Sequence, residues 1–153
     1  MFRLYAILTY VVWAYIHEYT HLLIAKKLVG VNSYTIKLYP HNHSVLGFVF
    51  ASVSYQLKRN ITSTERAKIS FAPRIPDLFA LILFPFTSNL DLFWIILIGG
   101  GLIDTIRGSF VFSPTSDIKK YCEAWELKIS HVRTIQLSLV GLSLILFILF
   151  RVY

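Results

Sequence analysis

Cysteine is almost absent from this chain. The single residue, Cys122, excludes an internal disulfide and any multi-cysteine zinc or iron–sulfur site. Charge is scarce as well: 15% of the 153 residues are Asp, Glu, Lys or Arg, where soluble domains average about a quarter. There is no internal repeat and no low-complexity tract, and 56% hydrophobic residues with a mean hydropathy of +0.61 exclude intrinsic disorder. The length fits one unit, residues 1–153, and the bunching of charges between long apolar runs points to a bilayer as solvent. A formal charge of +7 would suggest nucleic acid in a soluble protein, but here its distribution is more telling than its sum, and no nucleic-acid partner is expected.

Residues 4–25, LYAILTYVVWAYIHEYTHLLIA, are long enough for one helical crossing and are closed by Lys26 and Lys27. No small-residue cleavage site follows, and a His-Glu pair interrupts the run, so it reads as a retained helix and not a signal peptide. Residues 30–60 change period: SYTIKLY alternates, Pro40 breaks it, and SVLGFVFASVSYQL is rich in β-branched and aromatic side chains, which predicts a β-hairpin or small sheet. Residues 58–77 form a basic connection. Residues 78–103, LFALILFPF and LFWIILIGGGLI around the polar link TSNLD, predict a membrane hairpin, and residues 134–150 predict a last span. The expected fold is an α-helical polytopic membrane protein, with about four transmembrane helices and a β insert between the first and second.

Of the fifteen Lys and Arg residues, eight lie in 26–77 and five in 107–133, leaving only Arg3 and Arg151 elsewhere. Four crossings put both basic segments on one face and both termini on the other, so 26–77 and 107–133 are expected on the cytoplasmic side of the cell membrane.

The chemistry lies in HEYTH, residues 17–21. Histidines four apart on a helix share one face, so His17 and His21 can reach one metal ion with Glu18 beside them. Five His and four Glu in 153 residues would produce this pattern by chance roughly 0.4% of the time. Zinc in a catalytic site takes three protein ligands and keeps a position for water, and a nearby non-ligating carboxylate accepts that water's proton; Glu18 suits the role. Within a membrane helix such a cluster is costly unless paired or coordinated, which favours a metal site over two merely hydrogen-bonded histidines.

Depth suggests the third ligand. His21 lies five residues before Lys26 and His17 nine, roughly 8 to 13 Å inside the helix end at 1.5 Å per residue. Asp104 lies three residues before Arg107 at comparable depth, after Gly99, Gly100 and Gly101, which allow close helix approach or a bend. Asp91 lies at the opposite face, and Glu123, Glu126 and His131 read as solvated surface. Asp104 is the expected ligand.

HEYTH on a first membrane helix, a β-like insert, Ser-Phe-Ala-Pro at 70–73 before a second helix, and Asp104 ending a Gly-rich third helix resemble the site-2 protease clan of intramembrane zinc metallopeptidases. The closest likeness is to its small bacterial and archaeal zincin-peptidase families, whose pattern continues into a Pro-then-Asp stretch, here SPTSD at 113–117. The likeness runs from residue 13 to about 120. It implies Zn²⁺ held by His17, His21 and Asp104, Glu18 as catalytic base, and membrane-associated proteins or peptides as substrates, paired as an added strand with the edge of a strand in 44–57. The third-ligand motif reads GGGLID where better-studied members carry an Asp-Gly pair, and position 20 is Thr where Gly is common.

His41 and His43 in YPHNHS fit a polar hairpin tip better than a second metal site. Asn60 and Asn89 are polar but have no positional claim as oxyanion donors. Tyr121, Trp125 and Ile129, four residues apart, predict an interfacial amphipathic helix. The sequence thus favours a zinc metallopeptidase acting near the cytoplasmic face over a non-catalytic zinc-binding scaffold. A membrane metal oxidase or hydroxylase, which needs more clustered histidines, ranks last.

Overall fold

The computed structural model describes residues 2–43, 47–49, 51–110 and 116–152, and among these the chain is mostly helical with a small antiparallel insert. The first apolar run becomes α1 (Phe2–Leu28), ended by Gly30 at φ 80°, a left-handed cap that favours glycine; its N–H donates to the Ala25 carbonyl. The alternating stretch forms β1 (Val31–Lys37), β2 (His41–His43), β3 (Gly47–Val49) and β4 (Ser52–Leu57). β1 pairs antiparallel with β4 and β2 with β3, one hairpin nested in the other, as period two predicts. Residues 44–46 and 50 of the expected strand lie outside the described residues.

The basic connection is itself helical from residue 63. α2 (Ser63–Phe71) opens with a capping box in which Thr62 Oγ1 accepts from Glu65 N and the Glu65 carboxylate accepts from Thr62 N. Arg59 grips Glu65 through Nη2 (2.6 Å) and Nη1 (3.0 Å) and donates to the Leu28 carbonyl, tying the start of α2 to the end of α1. Pro73 breaks the run. α3 (Arg74–Leu83) and a 3₁₀ turn (Phe84–Asn89) follow, and α4 (Leu92–Gly108) returns beside α3 as the expected hairpin. α5 (Asp117–Ala124) is short, and α6 (Ile129–Val152) begins five residues earlier than the apolar run alone suggested.

The glycines of α4 set the helix spacing. A Cβ at Gly100 would overlap the Trp13 ring and the Thr9 methyl of α1, and one at Gly101 would overlap Ala80 of α3, so these residues seat α4 between two helices. Trp13 Nε1 donates to the Leu97 carbonyl, fixing the α1–α4 contact.

α5 corrects one expectation. Tyr121, Trp125 and Ile129 do not share one interfacial helix, because Trp125 caps α5, Glu126 takes φ 56° and Ile129 starts α6. They pack with Ala67, Phe71, Ile118 and Cys122 into a core between α2 and α5. Packing against α2 takes these apolar side chains out of water without a membrane interface.

Two described segments are long and apolar enough to cross a membrane, Ser63–Asn89 and Ile129–Val152, against the four expected. The HEYTH residues and tyrosines dilute the hydropathy of α1, and α4 has only 17 residues, including Asp104 and Arg107.

Candidate metal centre

His17 and His21 stand one turn apart on α1, both buried, with ring centroids 5.1 Å apart. Each ring is held from behind. His21 Nδ1 lies 2.7 Å from the Ile69 carbonyl oxygen. A carbonyl only accepts, so Nδ1 carries the proton and Nε2 of the neutral ring presents a lone pair. His17 Nδ1 lies 2.7 Å from Asp104 Oδ2, which sets the same tautomer.

The fronts of both rings meet on one carboxylate. Asp117 Oδ2 lies 3.2 Å from His21 Nε2 and 3.6 Å from His17 Nε2, and the three ligand atoms all fall within 4.8 Å of one another. Ligands about 2.05 Å from a tetrahedral zinc stand about 3.3 Å apart, so the Asp117 contacts already bracket the spacing such an ion needs. The residues fit a divalent ion of this kind. In their protonated form the His21 and His17 rings outweigh the effect of burial and hold the Asp117 carboxyl well below the usual carboxylate range, whereas the neutral form, with its Nε2 lone pair, is the one that takes a metal.

Asp104 is therefore at the cluster but behind it. Its carboxylate sits on His17 Nδ1, the nitrogen that faces away from Asp117, where it fixes the ring as an outer partner. Asp104, the expected ligand, lies level with His17 but meets the Nδ1 side of its ring, whereas Asp117, at the start of α5, is the carboxylate that faces both Nε2 atoms. Residues 113–115 of the SPTSD stretch lie outside the described residues.

Asp104 is fastened in turn. Arg107 Nη2 donates to Oδ1 at 2.7 Å, and buried Arg74 donates from Nη1 to the Asp104 carbonyl at 3.2 Å. Arg74 Nη1 also lies 2.7 Å from Asp77 Oδ2, an ion pair without hydrogen-bond alignment. Gly108 makes room for it, since a Cβ there would overlap the guanidinium.

Glu18 follows His17 on α1 and is half-buried. Tyr55 of β4 faces the same region. Burial pushes its hydroxyl up to about 12, and the Asp117 and Glu18 carboxylates add to the rise. Sequence reasoning missed Tyr55 and Arg74; the alternation of β4 was the one available signal, since it puts residue 55 on a single face with 53 and 57.

The remaining candidates stay apart. His41, in β2 opposite Val49 and not at a hairpin tip, donates from Nδ1 to the Tyr39 carbonyl and pairs through Nε2 with Ser52 Oγ at 2.9 Å. The His43 side chain lies outside the described residues. Asn60, Asn89, Asp91, Glu123, Glu126 and His131 are exposed.

No protein-family model matches the chain, and comparison with curated proteins and with solved structures found no match.

Proposed function

We propose that this protein is a membrane zinc metallopeptidase that hydrolyses peptide bonds of membrane-associated proteins or peptides near the cytoplasmic face. The observation that carries the reading is the convergence of His17 Nε2, His21 Nε2 and the Asp117 carboxylate beside Glu18, inside a helical protein whose long helices expose apolar side chains. Zn²⁺ held by His17, His21 and Asp117 would polarise a substrate carbonyl and lower the pKa of a bound water. Glu18 would serve as the base that accepts a proton from the attacking water and returns it to the leaving amine. Asp104 and the Ile69 carbonyl hold both imidazoles by Nδ1, leaving each Nε2 on the Asp117 side where an ion would be held.

Four crossings remain the topology we favour. α1 exposes Leu4, Ile7, Leu8 and Val11, and α4 exposes Leu92, Trp94, Ile103 and Ile106, side chains that lipid would cover as it would those of the two longer apolar segments. The basic segments 26–77 and 107–133 then face the cytoplasm with both termini opposite. β4 pairs with β1 on one side and packs on α1, which supports delivery of an unwound substrate strand to the cluster.

The test is a pair of measurements on detergent-purified protein: zinc content, and cleavage of a panel of membrane-segment peptides. We expect about one zinc per chain and cleavage that disappears in Glu18→Gln while zinc remains. Zinc without any Glu18-dependent cleavage would favour a non-catalytic zinc-binding scaffold, and absence of zinc would overturn both.

A further inference from the structure

A cavity of about 550 Å³ runs between α1 and α4. Its α1 wall is the stripe Ala6, Tyr10 and Ala14, and its α4 wall includes Ile96, Gly100 and Ile103. Along α4 it reaches from residue 95 to Arg107, about 18 Å at 1.5 Å per residue. That is close to one leaflet of a hydrocarbon core about 30 Å thick.

The chemistry of the lining narrows the occupant. The lining is apolar except at Thr9, Tyr10, Asp104 and Arg107. An extended peptide would leave its N–H and C=O groups without partners along most of that length, at several kcal/mol each. A hydrocarbon chain has no such groups. The polar end is the Arg107 end, where Nη2 holds Asp104 and the side chain remains 46% exposed. Arg107 also opens the basic segment 107–133. In the membrane orientation proposed above, on which this inference rests, a phospholipid of the leaflet on that side would place its phosphate at Arg107 and direct its tail towards Ala6.

We propose that this groove is a binding site for one acyl chain of an anionic phospholipid, with its phosphate at Arg107. The site adjoins the metal cluster only through Asp104, and Ala14 precedes Glu18 by one helical turn on the same stripe. Its occupancy is independent of any hydrolysis.

The experiment is native mass spectrometry of the detergent-purified chain titrated with palmitoyl-oleoyl phosphatidylglycerol, and separately with the phosphatidylcholine of the same chains. Wild type is expected to hold one phosphatidylglycerol and to prefer it to phosphatidylcholine. Ala14→Trp, which fills the groove, should weaken binding at least tenfold; Ile96→Trp on the facing wall should do the same, so a misfolded single variant does not decide the matter. Arg107→Gln should remove the headgroup preference while a chain still binds. Unchanged binding in both tryptophan variants overturns the groove. Equal affinity of wild type for the two lipids overturns the phosphate contact, and displacement of the lipid by an apolar peptide at equal concentration overturns the acyl-chain assignment. Zinc content measured on the same samples reads the metal proposal separately.

Discussion

Pro73 has no N–H to offer the carbonyl of Ile69, four residues before it, and that carbonyl oxygen accepts from His21 Nδ1 at 2.7 Å. Among the described residues the Ala72 N–H, at 3.3 Å, also reaches that carbonyl. The break between α2 and α3 thus frees an acceptor to orient a metal-facing imidazole. Pro73→Ala should restore a helical N–H donor, draw the carbonyl away and weaken zinc affinity by about 10-fold or more. Competition with a chromophoric chelator measures it; unchanged affinity would mean the carbonyl contributes nothing to the site.

The two carboxylates at the cluster should respond differently. Asp117→Ala is expected to abolish stoichiometric zinc, whereas Asp104→Asn should retain zinc with affinity reduced about 10- to 100-fold, as for an outer partner. The reverse order in equilibrium dialysis would return Asp104 to the ligand role that its position along the helix first suggested.

Glycine substitutions separate helix contact from helix propensity. Gly101→Ala meets Ala80 and Trp13, and should cost about 1–3 kcal/mol by overpacking. Gly141→Ala in α6 meets nothing within 4 Å and should be neutral or stabilising by up to about 1 kcal/mol. Denaturation midpoints in one detergent compare them, and equal effects would remove the case for Gly101 as a contact residue.

Arg74 is buried with Asp77 and Asp104. Arg74→Met should destabilise by about 3–5 kcal/mol because it strands buried carboxylates, and Arg74→Met with Asp77→Leu should recover part of the loss. No recovery in the double variant would show that Asp104, and not Asp77, bears the cost.

Burial pushes the Tyr121 hydroxyl, which accepts from Gln136 Nε2 at 3.3 Å, up to about 12. Below about pH 10 the phenol is protonated in folded and unfolded chains alike. Between about pH 10 and 12 the unfolded chain ionises first, so stability falls as pH rises through that window. Tyr121→Phe should flatten the fall, as read by denaturant midpoints across the range.

Local patterns were legible where one residue type forces one outcome. Period two announced the β insert, the TSNLD link announced the α3–α4 turn, and HEYTH put two imidazoles on one face. Which oxygen meets which nitrogen was not legible. Residue 104 lies at the right level along α4, but helix rotation decides that it meets His17 Nδ1, and the docking of α5 on α2 decides that Asp117 meets Nε2. That docking rests on Ile118, Tyr121 and Cys122 packing against Ala67, contacts between residues some fifty positions apart that no local period encodes. Two of the four expected spans are long and apolar enough by themselves, and α1 is not one of them for a related reason: the residues that make it a site also dilute the hydropathy by which a crossing is recognised.

The back of each imidazole is held by a group made later in the chain than α1 itself: a carbonyl at 69 and a carboxylate at 104. During synthesis, then, α1 is made carrying two rings whose partners have not yet emerged from the ribosome. The cluster is consequently a product of late assembly, completed only when α5 docks, so a chain stalled before residue 117 should be inserted yet unable to retain metal.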